Sequence, residues 1–238
     1  MRTRPAWPTA NRIFTTITAS MVSTFSSDED SPVKTTQRIV LQNVSWQTYK
    51  ALLADLGDHR ASRLAYAQGM LEITMPSDRH ETYKQLLERM VNTLTEELNL
   101  RVKGFASTTL NREDLEHGAE PDSCYYIGNV DCIQGRTVDL ANDPPPDLVI
   151  EVDITSSSSR RFGIYKQIGV PEVWRYIGKS VEIYRLQNGD YVRCQDNFTF
   201  EILSVEIINQ FLQQAETQDD TTMILAWRKW VRKNLPED

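Results

Sequence analysis

The chain has 238 residues, 40% hydrophobic and 25% charged, an ordinary globular balance with enough apolar material for one sizeable core. Its formal net charge of −7 argues against a surface that grips nucleic acid everywhere, though not against a local basic groove or an enzyme that relies on metal ions. The three cysteines (Cys124, Cys132, Cys194) form no CxxC pair and no apolar run approaches the ~20 residues that span a bilayer, so a zinc framework, a disulfide scaffold and a membrane span are not expected and a reducing, cytoplasmic setting is the default.

Residues 1–37 are rich in Ser and Thr and carry no acid before Asp28, while Arg2, Arg4 and Arg12 lend the start some transit-peptide character. The lack of apolar periodicity favours a disordered extension, or a true start at Met21. Order is expected from about Arg38, so the domain reading is an extension over 1–37 and one mixed α/β domain over 38–238 with a helical C-terminal end. Ser45 is a plausible N-cap, and Trp46, Tyr49, Leu52, Leu53 and Leu56 recur at helical spacing until Gly57. Residues 63–68 and 71–75 read as a hairpin around Gly69. Asp78 reads as the cap of a longer helix over 80–98, with Tyr83, Leu86, Leu87, Met90, Val91, Leu94 and Leu98 on one side.

Strands and loops are expected over 101–143, and the best strands are 123–127 and 148–154. A short helix over 162–168 is stopped by Gly169 and Pro171. Three short strands follow at 173–177, 181–186 and 191–194, with turns at Gly178 and Asn188-Gly189. The end, 205–233, reads as helix with a polar interruption near Asp219. Its basic aromatic stretch WRKWVRK is better read as a surface helix packing Trp227 and Trp230 inward than as a contact to phosphates.

The chemistry concentrates in LVIEVDI. Side chains alternate along a strand, so Asp147, Val149, Glu151 and Asp153 share one face. Such a face is either a harmless edge or a divalent-cation site, since hard cations take carboxylate oxygens. Glu151 and Asp153 are about 6.6 Å apart along a strand and could reach one ion; Asp147, about 13 Å from Glu151, could not easily join them. Asp122, opening the strand SCYYI after Pro121, is a candidate partner from a neighbouring strand, though a turn aspartate is the commoner role. Glu72 is expected to face outward, and Trp174, Arg175 and Tyr176 to pack.

Several ordered blocks then resemble a known family: GMLEITMP from Gly69 to Pro76 followed by His80-Glu81, EPDSCYYI from Glu120 to Ile127, PPPDLVIEVDIT from Pro144 to Thr155, and Tyr165 with GVPEVWRY from Gly169 to Tyr176. Over residues 38–235 the chain is similar to the cyanobacterial-type Uma-two family of restriction-endonuclease-like proteins, a branch of the PD-(D/E)XK nuclease superfamily. The resemblance implies a restriction-endonuclease-like fold, a mixed sheet flanked by helices. It also implies a Mg²⁺- or Mn²⁺-dependent endonuclease acting on DNA. Asp122 matches the first metal-binding acid and Glu151 the second. The Val152 carbonyl joins them, and Asp153 completes or tunes the shell.

Asp153 stands where the superfamily usually has lysine. The subgroup places its lysine on the following helix, four residues before the tyrosine, and here that place holds Arg161, since Tyr165 matches the tyrosine. Arginine keeps positive charge but is effectively never deprotonated, so Arg161 could hold the scissile phosphate and could not be a general base. Lys166 would face elsewhere on a helix. Glu81 is a candidate third acid and His80 a candidate for orienting a phosphate or a water; the bland roles are a glutamate suited to a helix N-terminus and a packed or surface histidine. The missing lysine and the net acidity keep open an alternative, a catalytically impaired nuclease fold serving as a binding or assembly module. A homodimer is suggested by family analogy and the apolar VEIYRL strand.

Overall fold

The structure is a computed structural model that describes residues 36–57, 60–106, 108–133, 138–155 and 157–236. The expectations for residues 1–35, the extension and the start at Met21 included, lie outside the described residues. The first described element is one the pattern did not foresee: β1 (Gln37–Leu41) begins within the stretch assigned to the extension. It pairs antiparallel with the hairpin that follows, Ile39 opposite Ile73.

Between them, α1 (Trp46–Leu56) begins as expected, with Ser45 Oγ accepting from the Thr48 N–H, and ends at Gly57. β2 (Arg63–Ala67) and β3 (Met70–Met75) form the hairpin. Its two-residue turn puts Gln68 at φ 51° and Gly69 at φ 79°, a left-handed pair whose twist matches the strands. The long helix α2 (Asp78–Glu97) differs from expectation at its start: Ser77 is the cap, its Oγ accepting from the His80 N–H at 3.2 Å, and Asp78 sits in the first turn. Ser77 is the last residue in extended conformation, so only its oxygen can reach back to the third helical N–H.

The middle resolves into β4 (Lys103–Phe105), β5 (Leu110–Arg112), β6 (His117–Ala119) and β7 (Ser123–Tyr126), then the short α3 (Val130–Ile133). β8 (Leu148–Val152) stops two residues earlier than expected, and α4 (Ser159–Ile168) starts three residues earlier. One interaction accounts for both: Asp153 turns out of the strand and accepts from the Ser158 N–H at the head of the helix. β9 (Glu172–Tyr176), β10 (Val181–Gln187), β11 (Asp190–Cys194), α5 (Val205–Gln214) and α6 (Asp220–Lys233) complete the chain. The expected interruption is a cap, Asp219 accepting from the Thr222 N–H at 3.0 Å.

Two sheets result, one in the order β1-β3-β2-β6-β5 and one in the order β11-β10-β9-β8-β7-β4. In the second, β8 and β9 run parallel through the α4 crossover and the other pairs are antiparallel, which makes the mixed sheet flanked by helices that a restriction-endonuclease-like core requires. The strand VEIYRL is flanked on both sides, by β9 and β11, so it offers no edge to a second chain.

Three apolar clusters hold the layers. α1 covers the outer face of the first sheet through Trp46, Tyr49, Tyr66 and Leu71. Between the sheets, Ile164, Tyr165 and Ile168 of α4 meet Ala65 and Ala119 on one side and Val149 and Val173 on the other. Beyond the second sheet, Leu148, Ile150 and Val152 pack on α2, α5 and α6. Trp227 lies in this outer cluster, stacked on Trp230 at 5.6 Å, while Arg228 and Arg232 pair with Glu97. The basic aromatic helix therefore packs as expected. Trp174 and Tyr176 are also core residues.

Candidate active site

Alternation decides what Glu151 sees. Leu148, Ile150 and Val152 point to the outer helices, so Val149 and Glu151 point inward toward α4. No part of Glu151 is exposed. Its two neighbours there lie one helical turn apart: the Tyr165 hydroxyl donates to Oε1, and Arg161 Nη1 lies 2.8 Å from Oε2. The acidic strand face is thus not a solvent face; it is the floor of an inter-sheet layer.

Asp122 reaches the same floor from the adjacent strand. It immediately precedes β7, whose Ser123 pairs with Ile150, and its Oδ2 accepts from the Val152 N–H at 2.7 Å. His80 Nε2, from the first turn of α2, lies 2.9 Å from the same Oδ2. Arg63, the first residue of β2, places Nε 3.0 Å from Oδ1. Glu81 sits at the rim, 48% exposed at its side chain, with Oε1 3.3 Å from both Arg63 Nη2 and His80 Nδ1. Asp122, Glu151, Arg161 and His80 are thereby buried in one polar cluster built from β2, α2, β7, β8 and α4.

Asp153 is buried but turned to a different task. Both its oxygens accept from the Ser158 N–H, and Oδ2 also takes the Ser158 hydroxyl at 3.1 Å and Arg175 Nε at 2.6 Å. This locks the turn from β8 into α4, which in turn sets where Arg161 and Tyr165 sit. Asp147 stands apart, holding the loop after β7 through the Ile127 and Asn129 N–H groups.

Two residues of the cluster escaped the sequence reading. Arg63 lies at a strand start with no spacing that marks it, and only the pairing of sheet and helix brings it to Asp122. Glu72, expected to face outward, is 5% exposed and pairs with Arg38. Its charge also bears on Arg161, whose proton it helps to hold. The reason for the reversal is that both faces of this hairpin are covered, so alternation cannot pick an outside. Glu120, beside Asp122, is a staple: it accepts from the Leu64 N–H at 2.7 Å and from Thr109 and Arg60.

The environments separate the two acids. Burial alone would raise Asp122, yet His80 and Arg63 overcome it and hold the carboxyl down at about 2. Burial pushes Glu151 up to about 8, against the pull of Arg161, and the nearby Asp122 charge adds to the rise. His80 is the counterpart: burial would lower it, but the hydrogen bonds to Asp122 and Glu81 hold it up at about 9. Asp122 and His80 therefore form a buried charged pair.

Among the described residues, no group of three or more His, Cys, Asp or Glu side chains is arranged to hold a metal ion. A two-carboxylate donor set is present, however. Asp122 Oδ1 and Glu151 Oε2 are buried and accept no aligned hydrogen bond; each only faces a guanidinium as a charge. Buried carboxylate oxygens that face a guanidinium charge without an aligned hydrogen bond keep lone pairs open, and hard cations take such oxygens. The donor chemistry therefore fits a divalent cation, with Arg161 as a cation already beside Glu151.

A family profile described as "Putative restriction endonuclease" matches residues 46–215, a span that includes every residue of the cluster. A search of curated proteins found no match. No helix among the described residues is long and apolar enough to cross a membrane.

Proposed function

The chain belongs to the Uma2 family of restriction-endonuclease-like proteins, and on that premise we propose that it is a Mg²⁺- or Mn²⁺-dependent endonuclease that hydrolyses phosphodiester bonds of DNA. Restriction-endonuclease-like families generally use divalent metals. The observation that supports the reading is the pair of buried oxygens on Asp122 and Glu151, at the matched positions, that accept no aligned hydrogen bond and face only a guanidinium charge.

Asp122, Glu151 and the Val152 carbonyl would hold the cation. When bound, it supplies a lowered pKa for an attacking water and stabilises charge on the phosphoryl oxygens. The protein's own groups do the rest. The His80 imidazolium and the Val152 N–H fix Asp122 in orientation, as donors to one carboxylate oxygen. Asp153 tunes the site by anchoring the head of α4, which positions Arg161 and Tyr165. Arg161 offers a fixed positive charge to the phosphate and, remaining protonated, takes no proton from water. Glu81, at the exposed rim, balances Arg63 and His80 where substrate would enter. A homodimer would not pair through the backbone edges of β10, which β9 and β11 cover.

The test is cleavage of supercoiled plasmid with Mg²⁺ or Mn²⁺, wild type beside Glu151→Gln and Arg161→Lys. Wild-type nicking that Glu151→Gln abolishes is the expected outcome; equal cleavage by both sinks the assignment. A second reading has its own observation: Arg161 is only 4% exposed and sits against Glu151 Oε2 at 2.8 Å, as a plug in the place of a cation. Under it the fold is a catalytically impaired binding or assembly module. Calorimetry decides between them: no Mg²⁺ or Mn²⁺ binding by wild type, and no cleavage by wild type or Arg161→Lys, selects the module.

A further inference from the structure

Beside the buried cluster an open cleft of about 690 Å³ runs between the start of α2, the segment after β8 and the turn joining β9 to β10. Arg79 lines one wall, Ile154 the floor, and Gly178 and Lys179 the other wall, with Glu216 at its far side. Two of its lining residues adjoin the site along the chain, at the end of the sheet, although Ile154 itself packs on the outer-helix face of β8. Arg79 directly precedes His80, and Ile154 directly follows Asp153. The turn lies close over that floor, because a side chain on Gly178 would meet the carbonyls of Asp153 and Ile154 at 3.7 and 3.8 Å. At φ 80°, Gly178 also needs the left-handed backbone that presents Lys179 at the cleft edge.

The two cations differ from most others in the molecule. Arg38, Arg60, Arg63, Arg175 and Arg228 all spend their charge on internal acids. Among the described residues, Arg79 and Lys179 make no ion pair. Arg79 is instead held over the Tyr83 ring at 5.8 Å, which orients the guanidinium without neutralising it. In a chain of net charge −7, two cations without an ion-pair partner lining one cleft, against the single acid Glu216, are a local basic feature against the overall field.

We propose that this cleft is the track for the DNA strand flanking the scissile phosphodiester, with Arg79 and Lys179 each contacting a backbone phosphate. The assignment rests on the nuclease reading above, and it adds where the substrate leaves the buried acids. Phosphate contacts of this kind position a strand without reading its sequence. The apolar floor at Ile154 suits the sugar or base side of the same strand.

The experiment is fluorescence anisotropy of a labelled DNA duplex in EDTA, so that binding is read without cleavage. Wild type is compared with Arg79→Gln/Lys179→Gln and with a control of equal charge change on the distant α6, Lys229→Gln/Lys233→Gln, each titrated from 50 to 200 mM NaCl. Loss of two phosphate contacts is expected to flatten the slope of log K against log[salt] by about 1.8 and to weaken binding about 60-fold at 0.1 M salt. The α6 control is expected to keep the wild-type slope. An unchanged slope in the cleft variant, an equal loss in the control, or no DNA binding by wild type overturns the proposal. Tighter binding of the matching RNA duplex, lost in the cleft variant, also overturns it by reassigning the occupant. A wild type that binds through the cleft but never cleaves with Mg²⁺ sinks the nuclease reading alone. One that cleaves with an unaltered slope in the variant sinks the cleft alone.

Discussion

Asp122→Asn in the metal-free protein tests the charged heart of the site. Asparagine is nearly isosteric and keeps an acceptor for the Val152 N–H, so the backbone contact at 2.7 Å survives. What goes is the negative charge facing His80 Nε2 at 2.9 Å and Arg63 Nε at 3.0 Å. His80 is held from its ordinary 6.5 up to about 9, which corresponds to differential stabilisation on the order of 3 kcal/mol. Glu81 supplies part of that, so the expected loss is up to about 3 kcal/mol, the low end of the about 3–5 kcal/mol for breaking a buried pair. For a chain of this length that is a fall of roughly 6–12 °C in Tm.

The pH dependence follows with a definite sign. A histidine raised in the folded state stabilises fully below about 6.5, and the contribution is lost as pH rises through about 9. Wild type in EDTA should lose stability across that window. Asp122→Asn should already lack most of it, because burial then pulls His80 down against Glu81 alone. The assays are urea unfolding at pH 6 and pH 9 and a proton NMR titration of the His80 ring. A variant within 0.5 kcal/mol of wild type at pH 6, with His80 still titrating near 9, would refute the reasoning.

Three further outcomes are expected. Tyr165→Phe removes the hydroxyl that donates to buried Glu151 and should cost about 1.5–3 kcal/mol in urea unfolding, whereas a buried tyrosine with an idle hydroxyl would cost nothing. Ser77→Ala should cost about 1 kcal/mol and Asp78→Ala within about 0.5 kcal/mol, and the reverse order would return the cap of α2 to Asp78. Trp227→Ala should cost about 3–5 kcal/mol, because the indole is 1% exposed and donates to the Met90 carbonyl at 3.0 Å; a loss under 1 kcal/mol would mean α6 is not packed on α2.

Much of this was legible because it is local. The cap at Ser45, the Gly69 turn, the stop at Gly169 and the break in the C-terminal helix near Asp219 are each chosen by a few neighbouring residues, and each lies where the pattern places it. Strand alternation in LVIEVDI correctly put Glu151 opposite Leu148, Ile150 and Val152. The same rule failed at Glu72, since it divides a strand into two faces and does not say which is wet. It also overran β8 by two residues, because Asp153 leaves the strand for the Ser158 N–H, a contact alternation cannot see.

By itself, then, the order of residues determined the helices, the hairpin and the block pattern that ties Asp122 to Glu151, all set by short-range sterics, capping and periodicity. Only the tertiary structure decided the state of those acids. Stacking α4 between two sheets buried Glu151 beside Arg161 and Tyr165, and docking α2 and β2 brought His80 and Arg63 onto Asp122. The partners of Asp122 are far away along the chain. Their coupling is electrostatic and strengthened by the loss of water, and both arise only when the layers close.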